Sequence, residues 1–244
     1  MTRWPYPRYA AHRGAGKLAP ENTLAAMRGG YGYGYRMVEF DAKLSGDGVP
    51  FLLHDDTLDR TTDGRGRADA LTWAELSKLD AGSWHSPAYA GEPLPTLATI
   101  ARWAIASGVA CNIEIKPTPG RCETTGGAVA LDAKALWAGA PVPPLLSSFS
   151  EAALAAARKA APELPRALLL ERVPADWKER LARLECSALD CDYREVDAKL
   201  VAAAHDSQCR VMVYTPNDPK QVEKLIGWGV DVVITDAVDL IKPA

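Results

Sequence analysis

The stretch PLLSSFSEAALAAARKAAPELPRALLL, Pro144 to Leu170, holds the organisation of the chain in miniature. Residues 144–149 read as a β-rich run, and Ser150-Glu151 can cap the first turn of a helix over 150–161. A second β-rich run follows at 166–170. Strand, helix, strand in that order make a parallel pair, because parallel strands need a long crossover and a helix supplies it.

The same alternation extends in both directions. Further β-rich runs lie at 8–12, 37–42, 50–54, 110–116, 187–191, 210–215 and 230–235. Helical spacing recurs at 21–28, 97–106, 126–137, 175–184, 197–206 and 218–227, with start signals at Asn22-Thr23 and at Asp218 followed by Pro219. About eight βα units in a chain of this length predict a closed (β/α)8 barrel, the TIM barrel, in preference to an open doubly wound sheet. The chain is predicted to be one domain, 1–244. Residues 55–95 break the rhythm with Asp63-Gly64, Gly66, Gly82, Gly91, Pro87, Pro93 and Pro95, and read as an inserted segment between the second and third barrel units. One short helix is expected there near 72–79, with Thr72 and Glu75 as a capping box. Residues 29–35 alternate glycine and tyrosine; a helix-terminating loop is the preferred reading over a sugar-binding aromatic strip.

Bulk composition narrows the function classes. Hydrophobic residues make up 48%, enough for a sizeable core. The net charge is −3, which gives no support for nucleic-acid binding. The apolar stretch 128–144 is broken by Asp132 and Lys134 and is too short to span a bilayer, so no membrane insertion is expected. The opening residues 1–9 lack the basic-then-apolar order of a secretion signal. Cys111, Cys122, Cys186, Cys191 and Cys209 are odd in number and form no CxxC pair, so they read as free thiols, with a Cys186–Cys191 pair the minor alternative. A cytoplasmic location is expected.

The chemistry sits on the strands. Glu39 and Asp41 are two apart in Val38-Glu39-Phe40-Asp41, so both side chains point to one face. Convergent carboxylates at a strand end are costly unless a cation joins them, and hard oxygen ligands suit Mg²⁺ or Ca²⁺. The competing reading is a surface pair on an edge strand. Asn112, Glu114 and Lys116 share a face in the same way. Glu114 then becomes a third metal ligand and Lys116 a phosphate contact; a buried Glu–Lys ion pair is the alternative. His12 and His54 each end a β-rich run, where a barrel places its active-site mouth, and histidine is the natural proton carrier near neutral pH. Each could be structural if it stood alone. His85, in the insertion, and His205, on a helix, read as bland. Arg13-Gly14 follows His12 directly: arginine suits a bidentate phosphate contact and glycine a close backbone approach. Gly14-Ala15-Gly16-Lys17 lacks the spacing of a nucleotide-binding loop.

Taken in order, these residues resemble the glycerophosphodiester phosphodiesterase family. The matching pieces are His12-Arg13-Gly14, Pro20-Glu21-Asn22-Thr23, Glu39-Phe40-Asp41, His54-Asp55, Asp80-Ala81-Gly82-Ser83-Trp84, Pro95-Thr96-Leu97, Glu114-Ile115-Lys116 and Ser148-Phe149. They continue with Tyr214-Thr215-Pro216-Asn217 and Gly229-Val230-Asp231, leading to Thr235-Asp236. The resemblance implies a barrel with a short insertion, of the small cytoplasmic bacterial kind. It implies Glu39, Asp41 and Glu114 as ligands of one divalent cation, Mg²⁺ or Ca²⁺. It implies His12 and His54 as an acid–base pair, and Arg13 and Lys116 as phosphate-binding cations. The implied reaction is hydrolysis of a small-molecule glycerophosphodiester, such as glycerophosphocholine or glycerophosphoethanolamine, to glycerol 3-phosphate and an alcohol. Tyr214 stands where the family often has tryptophan, and Gly34-Tyr35-Arg36-Met37 replaces a more usual Gly-Ala-Asp-type approach. Two rivals are a phospholipase D-like lyase on the same barrel, which stops at a cyclic phosphate, and a non-catalytic phosphate- or glycerol-binding barrel.

Overall fold

The computed structural model describes residues 4–243; the first three residues of the opening stretch read above and Ala244 lie outside the described residues. The barrel strands are β1 (Tyr9–Ala11), β2 (Met37–Leu44), β4 (Ala110–Ile115), β5 (Leu145–Ser148), β6 (Arg166–Leu170), β7 (Ala188–Asp192), β8 (Arg210–Tyr214) and β9 (Val232–Thr235), with β3 (Pro50–Leu52) outside the ring. Neighbours run β1-β9-β8-β7-β6-β5-β4-β2, and a β1–β2 pairing at Ala11 and Val38 closes the ring. All eight pairings around the ring are parallel. The helices are α1 (Leu24–Gly32), α2 (Trp73–Leu76), α3 (Leu97–Ser107), α4 (Cys122–Leu136), α5 (Glu151–Ala160), α6 (Trp177–Leu184), α7 (Ala198–Asp206) and α8 (Pro219–Gly227). Among the described residues, no helix is long and apolar enough to cross a membrane.

Local chemistry accounts for most boundaries. The Thr23 and Ser150 hydroxyls accept from Ala26 N–H and Ala153 N–H and start α1 and α5. Asp218 caps α8 with Pro219 just inside. Thr72 and Glu75 form the reciprocal capping box of α2. Helix α1 ends at Gly32, and Gly34 turns the chain out with a φ of 96°.

Strand alternation sorts the side chains into two cores. Outward-facing Val38, Phe40, Ala42, Ile113 and Ile115 pack against helix residues such as Leu97, Ile100 and Val129. Inward-facing Ala10, Met37, Ala110, Leu145, Ala167, Ala188, Met212 and Val232 fill the barrel axis. Each large aliphatic side chain buried in this way contributes about 1.5–3 kcal/mol. Two residues further along, six of those eight strands turn polar at His12, Glu39, Asn112, Ser147, Asp190 and Tyr214, and that is where the site begins.

The reading of 50–54 as a barrel strand is corrected by the pairing. Strand β3 runs antiparallel to the far end of β2, with Leu44 opposite Pro50 and Ala42 opposite Leu52. The two are joined by a turn in which Gly48 has a φ of 87°. A hairpin arm and a parallel barrel strand are both short β-rich runs, so pattern alone does not separate them; only the register does. The segment beyond β3 builds its own small core from Phe51, Leu53, Leu58, Ala68, Leu76, Ala81 and Leu94. The five cysteines are free.

Helices α4 and α5 touch where Gly126 lies against the backbone of Ala153. A Cβ there would come within 2.2 Å of the Ala153 oxygen, whereas one at Gly127 would meet nothing within 4 Å. Gly126→Ala is therefore expected to destabilise the fold by roughly 1–3 kcal/mol through overpacking. Gly127→Ala should be neutral or stabilising by up to about 1 kcal/mol, since alanine is the better helix former. Urea unfolding of the two variants checks this; equal effects would contradict the packing assigned to Gly126.

Candidate active site

His12 follows β1, and its N–H extends the β1–β9 ladder by donating to the Thr235 carbonyl at 3.0 Å. Its Nδ1 lies 2.6 Å from Oδ1 of Asp236, which follows β9. Burial would raise Asp236, but the bond to His12 and the nearby charges outweigh it and hold the carboxyl below its ordinary value. An ionised carboxylate only accepts, so Nδ1 carries the proton and Nε2 is left to the cavity. His54 repeats the device with its neighbour: Nδ1 is 2.7 Å from Asp55 Oδ1. Burial, helped by the Arg13 and Lys116 charges, holds His54 below its usual value despite Asp41 and Asp55.

The three carboxylates read from the strands do converge. Asp41 and Glu114 are register partners on β2 and β4, as are Glu39 and Asn112. One oxygen from each of Glu39, Asp41 and Glu114 lies within 4.8 Å of the others. All three are largely buried. Burial pushes Glu39 and Glu114 up, and repulsion from Asp41 adds to it: Glu39 stands well above the ordinary range and Glu114 reaches about 7. Burial would raise Asp41 too, but Lys116, Arg13 and His54 hold it well below, aided by the Asn22 amide. Glu39 Oε1 is buried without a partner among the described residues. An orphaned oxygen among three buried carboxylates fits a divalent cation, whose hard oxygen ligands these are.

Arg13 and Lys116 reach the same place. Lys116 Nζ is 2.6 Å from Glu114 Oε1 and 3.4 Å from Asp41 Oδ1. The Glu114–Lys116 ion pair weighed from sequence is thus present, within the carboxylate cluster. Arg13 Nη1 donates to Glu21 Oε1 at 2.7 Å, and its Nε is 3.4 Å from Asp41 Oδ2. Arg13 has a φ of 50°, and its N–H donates to Glu39 Oε2 at 3.1 Å. Gly14 works differently from the expectation of close ligand approach: a Cβ there would lie 2.6 Å from the Ala26 backbone, so the missing side chain admits helix α1.

These groups open on a cavity of about 190 Å³ lined by His12, Arg13, Glu39, His54, Glu114 and Lys116. It joins an open groove of about 650 Å³ along Lys43, Pro117, Cys122 and Phe149. Tyr214, the departure noted in the sequence, does form cavity wall, with its hydroxyl donating to the Leu170 carbonyl at 3.1 Å. His205 bonds Asp231 on the barrel's outside, and His85 approaches the Lys17 carbonyl.

Several supporting residues escaped the sequence reading. His12 is held by Asp236, brought over by ring closure. Asn22 donates to Asp41 Oδ2 at 2.8 Å and accepts from Asp41 N–H at 3.0 Å. Arg60, in the insertion, bridges Glu21 and Asp55. Asp236 directly follows a β-rich run, at the barrel mouth as His12 is, and that signal could have found it; nothing local marks Arg60.

A barrel whose C-terminal mouth gathers buried carboxylates, carboxylate-backed histidines and two cations belongs to a class able to hold a metal ion and an anion together. Residues 12–240 match the Glycerophosphoryl diester phosphodiesterase family, and the chain belongs to that family. It is 32% identical over 233 residues to a glycerophosphodiester phosphodiesterase of Caldanaerobacter subterraneus, covering 93% of this chain and 92% of that one. A glycerophosphodiester phosphodiesterase of Bacillus subtilis is 28% identical, over 94% of this chain and 83% of its own. Among solved structures, an Oleispira antarctica phosphodiesterase in complex with the product sn-glycerol-3-phosphate superposes with a TM-score of 0.90 at 37% identity, covering 97% and 95% of the two chains.

The Asn22–Asp41 pair gives a direct test of the site's scaffold. Asn22 has a φ of 61°, a conformation asparagine tolerates better than alanine. Asn22→Ala should cost roughly 2–4 kcal/mol, from the lost bonds to buried Asp41 and from backbone strain. Asn22→Gly relieves only the strain and should cost less. Chemical denaturation of both variants reads the difference; an Ala variant as stable as the parent would refute it.

Proposed function

We propose that the protein hydrolyses glycerophosphodiesters such as glycerophosphocholine or glycerophosphoethanolamine to glycerol 3-phosphate and an alcohol, with one divalent cation, Mg²⁺ or Ca²⁺, held by Glu39, Asp41 and Glu114. The observation that carries this is the clustering of those carboxylates beside a cavity of a family member lined by His12, His54, Arg13 and Lys116. A bound cation would supply positive charge and Lewis acidity to the phosphoryl oxygens. Arg13 and Lys116 add charge that offsets the anion and orient it; Arg13 offers its flat fork, and Lys116 exchanges its bond to Glu114 for one to the phosphate. His54, held below its usual value, suits the proton acceptor. His12, whose Nδ1 is held by Asp236 so that Nε2 faces the cavity, takes the donor role. Five free thiols are in keeping with a cytoplasmic protein.

Incubation with glycerophosphocholine and either cation, followed by assay of glycerol 3-phosphate, tests the reaction. No release with Mg²⁺ or Ca²⁺ would end the proposal, and accumulation of a cyclic phosphate alone would favour the lyase. His12→Ala and His54→Ala should each lower kcat by about 10²–10⁴-fold, while His85→Ala and His205→Ala change it little. A nitrophenyl leaving group needs no protonation, so it should rescue the His12 variant and leave the His54 variant impaired.

Cation binding has a readout apart from turnover. Without a cation, Glu39 and Glu114 keep protons to higher pH in the fold than in the unfolded chain. Their contribution to stability is present at low pH and is lost as pH rises from 4.5, the ordinary glutamate value, through the folded values, about 7 for Glu114 and well above the ordinary range for Glu39. A cation that replaces those protons restores it. The gain in Tm on adding Mg²⁺ or Ca²⁺ should therefore be larger near pH 8 than near about pH 5.5. Equal gains at both would remove these glutamates from the cation site.

A further inference from the structure

The layer of the barrel directly above its apolar filling is unusual in one respect. Asn112, Ser147 and Asp190 each stand two residues beyond an axis residue, Ala110, Leu145 and Ala188, so they point inward on β4, β5 and β7. Asn112 is 1% exposed, and Ser147 and Asp190 are 0% exposed. Both polar atoms of Asn112, the Ser147 hydroxyl and both Asp190 oxygens have no hydrogen-bond partner among the described residues. All three residues line the cavity below the histidines, beside Leu169 and Ile234. Native proteins leave few buried polar atoms unpaired, and a cluster of them on a cavity marks what the cavity binds.

The chemistry of that ligand follows from what the floor offers. It has no cation, and Arg13 and Lys116 are engaged with Asp41, Glu21 and Glu114 beside the histidines. The phosphoryl group belongs with those cations. The floor presents carboxyl, amide and hydroxyl, which match groups that both donate and accept, as alcohol hydroxyls do. Burial with the nearby Glu114 pushes Asp190 well above the ordinary carboxylate range, which weakens it as a partner for an ammonium group. The open groove beyond His54 and Phe149 leaves space for a second substituent of variable size.

We infer that Asn112, Ser147 and Asp190 form a hydroxyl-binding floor that takes the glycerol end of the diester, directing the other alcohol out into the groove. The three are specificity determinants for a vicinal diol. The inference rests on the diester reading of the same cavity, and it names the residues that tell glycerol from other esters.

Calorimetric titration of the cation-loaded protein tests it with four probes: glycerol 3-phosphate, propyl phosphate, phosphoethanolamine and inorganic phosphate. Propyl phosphate keeps the shape and charge of the first and lacks both hydroxyls. The parent protein should prefer glycerol 3-phosphate to propyl phosphate by about tenfold to a hundredfold, since a site built for hydroxyls is left with unpaired groups by the deoxy compound. Asp190→Ala and Ser147→Ala should each shrink that ratio about tenfold, with inorganic phosphate affinity changed less than about threefold. The Ser147 change is small enough to test the floor even if Asp190→Ala fails to fold. A ratio near one in the parent, a ratio unchanged in the variants, or tighter binding of phosphoethanolamine than of glycerol 3-phosphate would overturn the floor. Discrimination lost in the variants but no hydrolysis of glycerophosphocholine would sink the hydrolase reading and leave the floor standing. Hydrolysis without discrimination would do the reverse.

Discussion

Closing eight parallel strands into a ring gives every second side chain nowhere to go but the axis. On β2 and β4 that places Glu39, Asp41 and Glu114 in a space shielded from water. Isolated carboxylates in such a place would be too costly to keep ionised. The rest of the mouth answers that cost. Arg13 and Lys116 lean in as cations, Asn22 satisfies Asp41 at two atoms, and one oxygen of Glu39 is left for an ion. The cation and anionic ester proposed above would answer the same demand for compensation together.

The histidines show how a barrel supports chemistry from several directions. His12 and Asp236 are 224 positions apart in sequence and adjacent in space because β1 and β9 pair. His54 has its carboxylate next door, but Asp55 is itself held by Arg60, which also grips Glu21. Arg60 ties the inserted segment to the loop after β1, and Glu21 in turn takes the Arg13 guanidinium. The β2–β3 hairpin places His54 at the mouth without a barrel strand of its own. Lys43, inward on the extended part of β2, secures the base of that arm through Asp56 and the His54 carbonyl.

Much of this was legible in the residues themselves. Period-2 alternation in Val38-Glu39-Phe40-Asp41 and Asn112-Ile113-Glu114 put the carboxylates on one face, and helix caps at Thr23, Thr72, Ser150 and Asp218 stand where the sequence put them. These are local facts, governed by steric alternation and by hydrogen bonds over a few residues. His12 and the cations beside it were legible for a related reason, since a strand's last residues sit at the barrel mouth.

What the tertiary structure decided is whatever depends on which strand neighbours which. The run at 50–54 became a hairpin arm because β4, not β3, takes the parallel place beside β2. Asp236 became the partner of His12 because the ring closes, and no local pattern encodes closure. The unpaired floor of Asn112, Ser147 and Asp190 exists only when three strands bring their inward faces to one depth. Sequence by itself determined which residues point inward, since side-chain alternation is a property of a single strand. Only the fold determined which of them meet, since register and ring order belong to pairs of strands far apart in the chain.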